Sequence, residues 1–127
     1  MQKNSMEKIQ ILSVGRDPVL LQKLSRFINE NPQWESTATV DDETAITLFH
    51  QVNFDMVLLL SDINTESINK LTSVFSFKNP DLIILKEIGD STQILEDKIN
   101  KALQMKKKSV NIIDDAFKNS QGETTAG

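Results

Sequence analysis

The alternation of short apolar runs with helix-periodic segments constrains the fold of this chain more than any other sequence feature. Four β-rich runs recur: residues 8–14 (KIQILSV), 34–40 (WESTATV), 55–60 (DMVLLL) and 81–85 (DLIIL). Each is followed by a segment whose apolar residues recur at helical spacing. The order βαβαβαβα therefore predicts an α/β fold, with a parallel sheet covered by helices.

The relative apolarity of the runs predicts the strand order. Right-handed crossovers restrict four such βα units to a doubly wound parallel sheet. The run 55–60 is almost continuously apolar, as a strand buried on both faces should be, and we place the run 8–14 beside it. We therefore expect them in the middle of the sheet, in the order 2-1-3-4.

Polar residues before the helical segments predict where the helices begin. Asp17 precedes Pro18, which combines a capping carboxylate with a first-turn proline. The expected capping or opening residues are Asp17, Asp41 or Asp42, Asn64 or Thr65, and Ser91.

The two ends of the sequence are more polar than its middle. We expect a flexible N-terminus over residues 1–7, an α/β domain over residues 8–106 and a C-terminal tail over residues 107–127. The tail is predicted to be partly disordered, and its apolar residues between Val110 and Phe117 indicate either a short helix or an unstructured segment.

Composition removes several classes of function. The formal net charge is −4, and the chain has no cysteine and one histidine. Disulfides, a structural zinc site and a nucleic-acid interface are therefore not expected. No apolar run approaches the roughly 18 residues of a membrane span, and no signal-peptide core is visible. By elimination we expect a cytoplasmic protein with no cofactor and no membrane partner.

Two segments resemble a known family. Residues 11–18 (ILSVGRDP) are similar to the I-L-I-V-D-D-D-P of the receiver domains of bacterial two-component response regulators. Residues 54–59 (FDMVLL) are similar to the P-D-L-V-L-L that precedes their phosphoacceptor aspartate. The resemblance implies a flavodoxin-like fold and a role in signal transduction.

The phosphorylation pocket that the resemblance implies is degenerate. The phosphoacceptor position falls on Leu60, and two metal-binding acids fall on Gly15 and Arg16, so that only Asp17 is kept. Leucine cannot be phosphorylated, and an arginine would repel Mg²⁺. Lys86 corresponds either to the family's switch serine or threonine or to its conserved lysine.

The chain is also one βα unit short of a full receiver. The fourth strand would then be a sheet edge, and an apolar edge tends to be covered. We expect it to be covered by the C-terminal segment or by a second chain, and we hypothesise a homodimer through this edge or that segment.

Ligands of open α/β sheets bind in the crevice beyond the carboxyl ends of the strands. The residues expected there are Gly15, Arg16, Asp17, Ser61, Asp62, Lys86, Glu87 and Gly89. Arg16 and Lys86 would donate to a small anion or polar ligand. The favoured alternative is an internal salt bridge from Arg16 to Asp62 or Asp17 in place of the lost metal.

The pattern does not favour an enzyme, because no nucleophile, base and oxyanion donors are brought together by spacing. His50, the single histidine, is expected to be solvated. The sequence therefore predicts a phosphorylation-independent, receiver-like module for signalling and protein interaction. The alternative is a small polar-ligand or anion sensor that uses the crevice.

Overall fold

The computed structural model describes residues 7–118, with side chains up to Lys106. Strands and helices alternate along the chain as β1 Ile9–Val14, α1 Pro18–Asn29, β2 Trp34–Thr39, α2 Asp42–Gln51, β3 Met56–Leu60, α3 Thr65–Lys78, β4 Ile83–Ile88 and α4 Thr92–Lys118. The fold is α/β, with a flavodoxin-like arrangement of four βα units. The chain divides after Thr92 into two compact units, and the sheet with α1, α2 and α3 belongs to the first.

The four strands are parallel and have the order β2-β1-β3-β4, as predicted. In register, Leu12 of β1 lies beside Thr37 of β2 and Val57 of β3. All five residues of β3 are buried, which accounts for its uninterrupted apolar sequence. Among the described strands, β2 and β4 form the two edges of the sheet.

Each of the first three helices begins at a side chain that accepts a backbone N–H. Asp17 accepts from Val19 N at 3.0 Å and thereby caps α1. Asp41 accepts from Thr44 N at 2.8 Å, and Asn64 accepts from Ser67 N at 2.8 Å. These bonds identify Asp41 and Asn64, rather than their neighbours, as the caps of α2 and α3.

The core beneath β1 and β3 packs against α2 and α3. Three phenylalanines fill it, and the Phe49 ring centroid lies 4.4 Å from that of Phe75 and 6.3 Å from that of Phe54. Because Val14 and Leu59 are fully buried in this cluster, the carboxyl ends of β1 and β3 are held rigidly.

The predicted extent of β4 was wrong. The sequence placed the strand over residues 81–85, but it begins at Ile83 and continues to Ile88. Leu85 pairs with Leu58 and Ile88 pairs with Leu60, so β4 holds one extra residue, a β-bulge. Glu87 in the bulge has a φ of 56°, in the left-handed region.

The last helix, α4, is continuous from Thr92 to Lys118. For the segment 107–127 the sequence indicated either a short helix or an unstructured tail. The backbone of residues 107–118 is helical and continues α4. The expectations for residues 1–6 and 119–127 lie outside the described residues.

Candidate functional site

Gly15 and Leu60 face each other across the ends of β1 and β3. Leu60, at the position expected for a phosphoacceptor, is 1% exposed. A Cβ at Gly15 would lie 2.7 Å from Leu60 Cδ2 and 3.1 Å from Leu60 Cβ. The first distance is shorter than carbon–carbon contact allows and the second is tight, so the absence of a side chain at residue 15 makes room for the leucine.

The carboxylate of Asp62 closes the loop between β1 and α1. It accepts the backbone N–H of Arg16 at 3.0 Å and the backbone N–H of Asp17 at 3.0 Å. Asp17 in turn accepts from the first turn of α1. The N–H groups that could cradle an external anion here are therefore already bonded to carboxylates of the chain.

The guanidinium of Arg16 turns away from Asp62. It donates to the Val40 carbonyl at 2.8 Å, to Asp42 Oδ1 at 2.9 Å and to Ser67 Oγ at 3.2 Å. The expected salt bridge from Arg16 to Asp62 or Asp17 is thus wrong in its partner. Asp62 is used by the backbone of Arg16, and the side chain reaches the next loop instead.

Asp42 is the centre of a small ion network. Its carboxylate is 11% exposed and also accepts from Lys70 Nζ at 3.2 Å. Burial alone would raise the pKa of Asp42, but hydrogen bonds from Ser67, Arg16 and Lys70 outweigh it and hold the pKa below its usual range. The network joins the loop after β1, the start of α2 and the side of α3.

Asp41, the neighbouring carboxylate, caps α2 and takes no part in this ion network. The backbone N–H of Thr44, and then the Thr44 hydroxyl, lower the pKa of Asp41 by hydrogen bonding to its charged form. The sequence left Asp41 and Asp42 as alternative caps, and the structure makes Asp41 the cap of α2 and Asp42 the ion-pair partner of Arg16.

The predicted crevice consists of two different parts. Gly15, Arg16 and Asp17 lie in the bonded loop described above. The other part is open, with a pocket of about 210 Å³. It is lined by Leu60, Ser61, Ile63, Thr65, Ile68, Lys86 and Glu87. Gly89 does not line it, and space is open around the position of its Cβ.

Sequence reasoning missed one contributor to this region and the backbone conformation of another. The sequence offers Asp42 only as an alternative to Asp41 as the cap of α2, and no local pattern marks it as the partner of a residue 26 positions away. Glu87 was placed in the crevice, but its unusual backbone was not foreseen. The only available signal was a polar pair directly after an apolar strand.

His50 is exposed, as expected. Its Nδ1 lies 2.9 Å from the Ile46 carbonyl oxygen, which can only accept a hydrogen bond. Among the side chains that the structure describes, no group of three or more histidine, aspartate or glutamate residues is arranged to hold a metal ion.

Together the fold and the site define a flavodoxin-like α/β domain whose loop after β1 is closed by its own carboxylates. No family model matches the sequence, and no curated protein matches it. Across residues 7–118, no helix combines the length and the apolar character that crossing a membrane requires.

Proposed function

We propose that this chain is a receiver-like module that works without phosphorylation and without catalysis, by presenting a surface to a protein partner. The observation that carries the proposal is the packing of Leu60 against Gly15, where the resemblance expects a phosphoacceptor and a metal-binding acid. Neither side chain offers an oxygen to a phosphoryl group or a cation.

The closed loop after β1 supports the same proposal. Asp62 holds the N–H groups of Arg16 and Asp17, and Asp42 holds the Arg16 guanidinium. A loop fixed in this way keeps one conformation and therefore favours a constant binding surface over a phosphorylation-driven switch.

The surface that we propose for the partner is the β4 edge, and the partner is a second copy of the chain. Among the described strands β4 pairs only with β3, and its apolar residues Ile83, Ile84 and Leu85 are only half-buried. An edge of this kind is a template for strand pairing.

The test of this function is the association state measured by light scattering, with and without Mg²⁺ and beryllofluoride as a phosphoryl mimic. We expect the dimer fraction to rise with protein concentration and to be the same in both conditions. A monomer at high micromolar concentration would refute the homodimer. A dimer that forms or dissociates only with the mimic would refute phosphorylation independence.

A second candidate function is a sensor of small polar ligands. The open pocket beside Lys86 favours it, because that part of the crevice is not filled by the chain's own side chains. A thermal-shift screen tests it: a ligand at 100 times its Kd stabilises a protein by about 2.7 kcal/mol. We expect stabilisation that is lost in Lys86→Gln, and a flat response to all ligands would exclude the sensor.

A further inference from the structure

The pocket at the carboxyl ends of β3 and β4 combines an apolar floor with two opposite charges. Leu60 and Ile63 are buried beneath it, and Lys86 and Glu87 lie on its rim. The hydroxyl-bearing residues Ser61 and Thr65 and the apolar Ile68 complete the lining. Its volume of about 210 Å³ is below the 300–1,000 Å³ of drug-sized sites, so it suits a small molecule.

The β-bulge explains why both charges reach one pocket. In a regular strand, consecutive side chains point to opposite faces, so Lys86 and Glu87 would be separated by the sheet. The extra residue in β4 and the φ of 56° at Glu87 interrupt that alternation, and both residues line the same pocket. A glutamate in the left-handed region is costly, and such costs are concentrated at functional sites.

The two charges are available to a ligand. Neither the Lys86 ammonium nor the Glu87 carboxylate forms a hydrogen bond or ion pair with the described part of the chain, and both residues are exposed. This contrasts with Arg16, whose guanidinium donates to Asp42, Ser67 and Val40.

We propose that this pocket binds a small zwitterion with an apolar side chain, the chemistry of an aliphatic α-amino acid. Lys86 takes the carboxylate, Glu87 takes the ammonium group, and the apolar side chain lies against Leu60, Ile63 and Ile68. The inference rests on the second candidate function, the ligand sensor, and names its ligand class.

Charge complementarity selects this class over simpler ions. A plain anion would pair with Lys86 but meet the like charge of Glu87, and a plain cation would meet the like charge of Lys86. A zwitterion satisfies both groups at once, and its apolar part removes the pocket floor from water.

The test is an amide-shift titration of the full chain with three molecules of the same carbon skeleton. L-Leucine carries both charges, isovalerate carries only the carboxylate and isopentylamine only the ammonium group. We expect saturable shifts with L-leucine at Ser61, Ile63, Thr65 and Glu87, with a Kd on the order of 1 mM. Isovalerate and isopentylamine should each bind about fivefold more weakly or worse, because each lacks one ion pair.

Matched variants measure the contribution of each of the two charged side chains to L-leucine binding. Lys86→Gln and Glu87→Gln preserve side-chain size, and each should weaken L-leucine binding about fivefold. Lys78→Gln, an exposed lysine at the end of α3, should leave binding unchanged.

The outcomes distinguish a failure of the zwitterion proposal from a failure of the ligand-sensor function on which it rests. Equal binding of isovalerate and L-leucine, or an unchanged affinity in Glu87→Gln, would overturn the zwitterion and leave an anion sensor. Absence of saturable shifts with all three molecules up to about 10 mM would overturn the zwitterion inference. The thermal-shift screen then decides whether the sensor itself stands.

Discussion

Gly15 and Leu60 depend on each other sterically, and this pair can be measured. Gly15→Ala should destabilise the protein by about 1–3 kcal/mol, because the new Cβ would overlap the Leu60 side chain. The penalty should shrink when Leu60 is replaced by Ala, giving a coupling energy of about 0.5–3 kcal/mol in a double-mutant cycle of denaturant unfolding.

The chain provides a matched control for that cycle. Gly89→Ala adds the same methyl group where no atom lies within 4 Å of the new Cβ, and should change stability by less than about 1 kcal/mol. If the losses of unfolding free energy in Gly15→Ala and Leu60→Ala were additive, the two side chains would not compete for the same space.

Asp42 gives the fold a defined pH dependence. Its pKa in the folded protein is below the ordinary value of 3.8, so its stabilising effect is fully present above that value. The effect is lost as the pH falls through the folded pKa. Asp42→Asn should therefore destabilise the protein by about 1–3 kcal/mol at neutral pH, and the difference from wild type should narrow below about pH 4.

Denaturant unfolding at several pH values measures this effect. Glu66→Gln is the control, since Glu66 is an exposed carboxylate of α3 without an ion pair among the described residues. It should change the stability less than Asp42→Asn does, because Glu66 has no ion-pair partner to lose in the described part of the chain. A difference between Asp42→Asn and wild type that stays constant down to about pH 3 would contradict the role of the charged carboxylate.

At the scale of elements, the order of strands and helices followed from the sequence because periodicity and capping are local. The uninterrupted apolar run of β3 and the Asp17-Pro18 start of α1 are examples. The contacts of the site are not local. The partner of Arg16 lies in another loop, and the bulge in β4 depends on pairing with β3, so neither pattern is visible along the chain.

The backbone strain at Glu87, in the β4 bulge, can be measured by substitution. Glu87→Gly should be more stable than Glu87→Ala by about 1 kcal/mol, because glycine adopts a φ of 56° without the Cβ penalty. The two variants lose the same carboxylate, so their difference in unfolding free energy isolates the backbone term. An alanine variant as stable as the glycine variant would mean that residue 87 bears no strain.

At the scale of the whole molecule, the same end of the sheet carries two different kinds of surface. On the β1 side, Asp62 accepts the backbone N–H of Arg16, Asp42 accepts from its guanidinium, and Leu60 fills the space opposite Gly15. On the β4 side, Lys86 and Glu87 remain available around an open pocket. The closed loop and the open pocket thus lie at the same end of the sheet, and the ligand that we propose would use only the pocket.

The most direct test of the closed site is an amide-shift titration with Mg²⁺ and beryllofluoride. We predict no saturable shifts at Gly15, Asp17 and Leu60, because the backbone donors of the loop are bonded to Asp62 and the acceptor position holds a leucine. Saturable shifts centred on those three residues would contradict the account, since they would show that this crevice still receives a metal and a phosphoryl group.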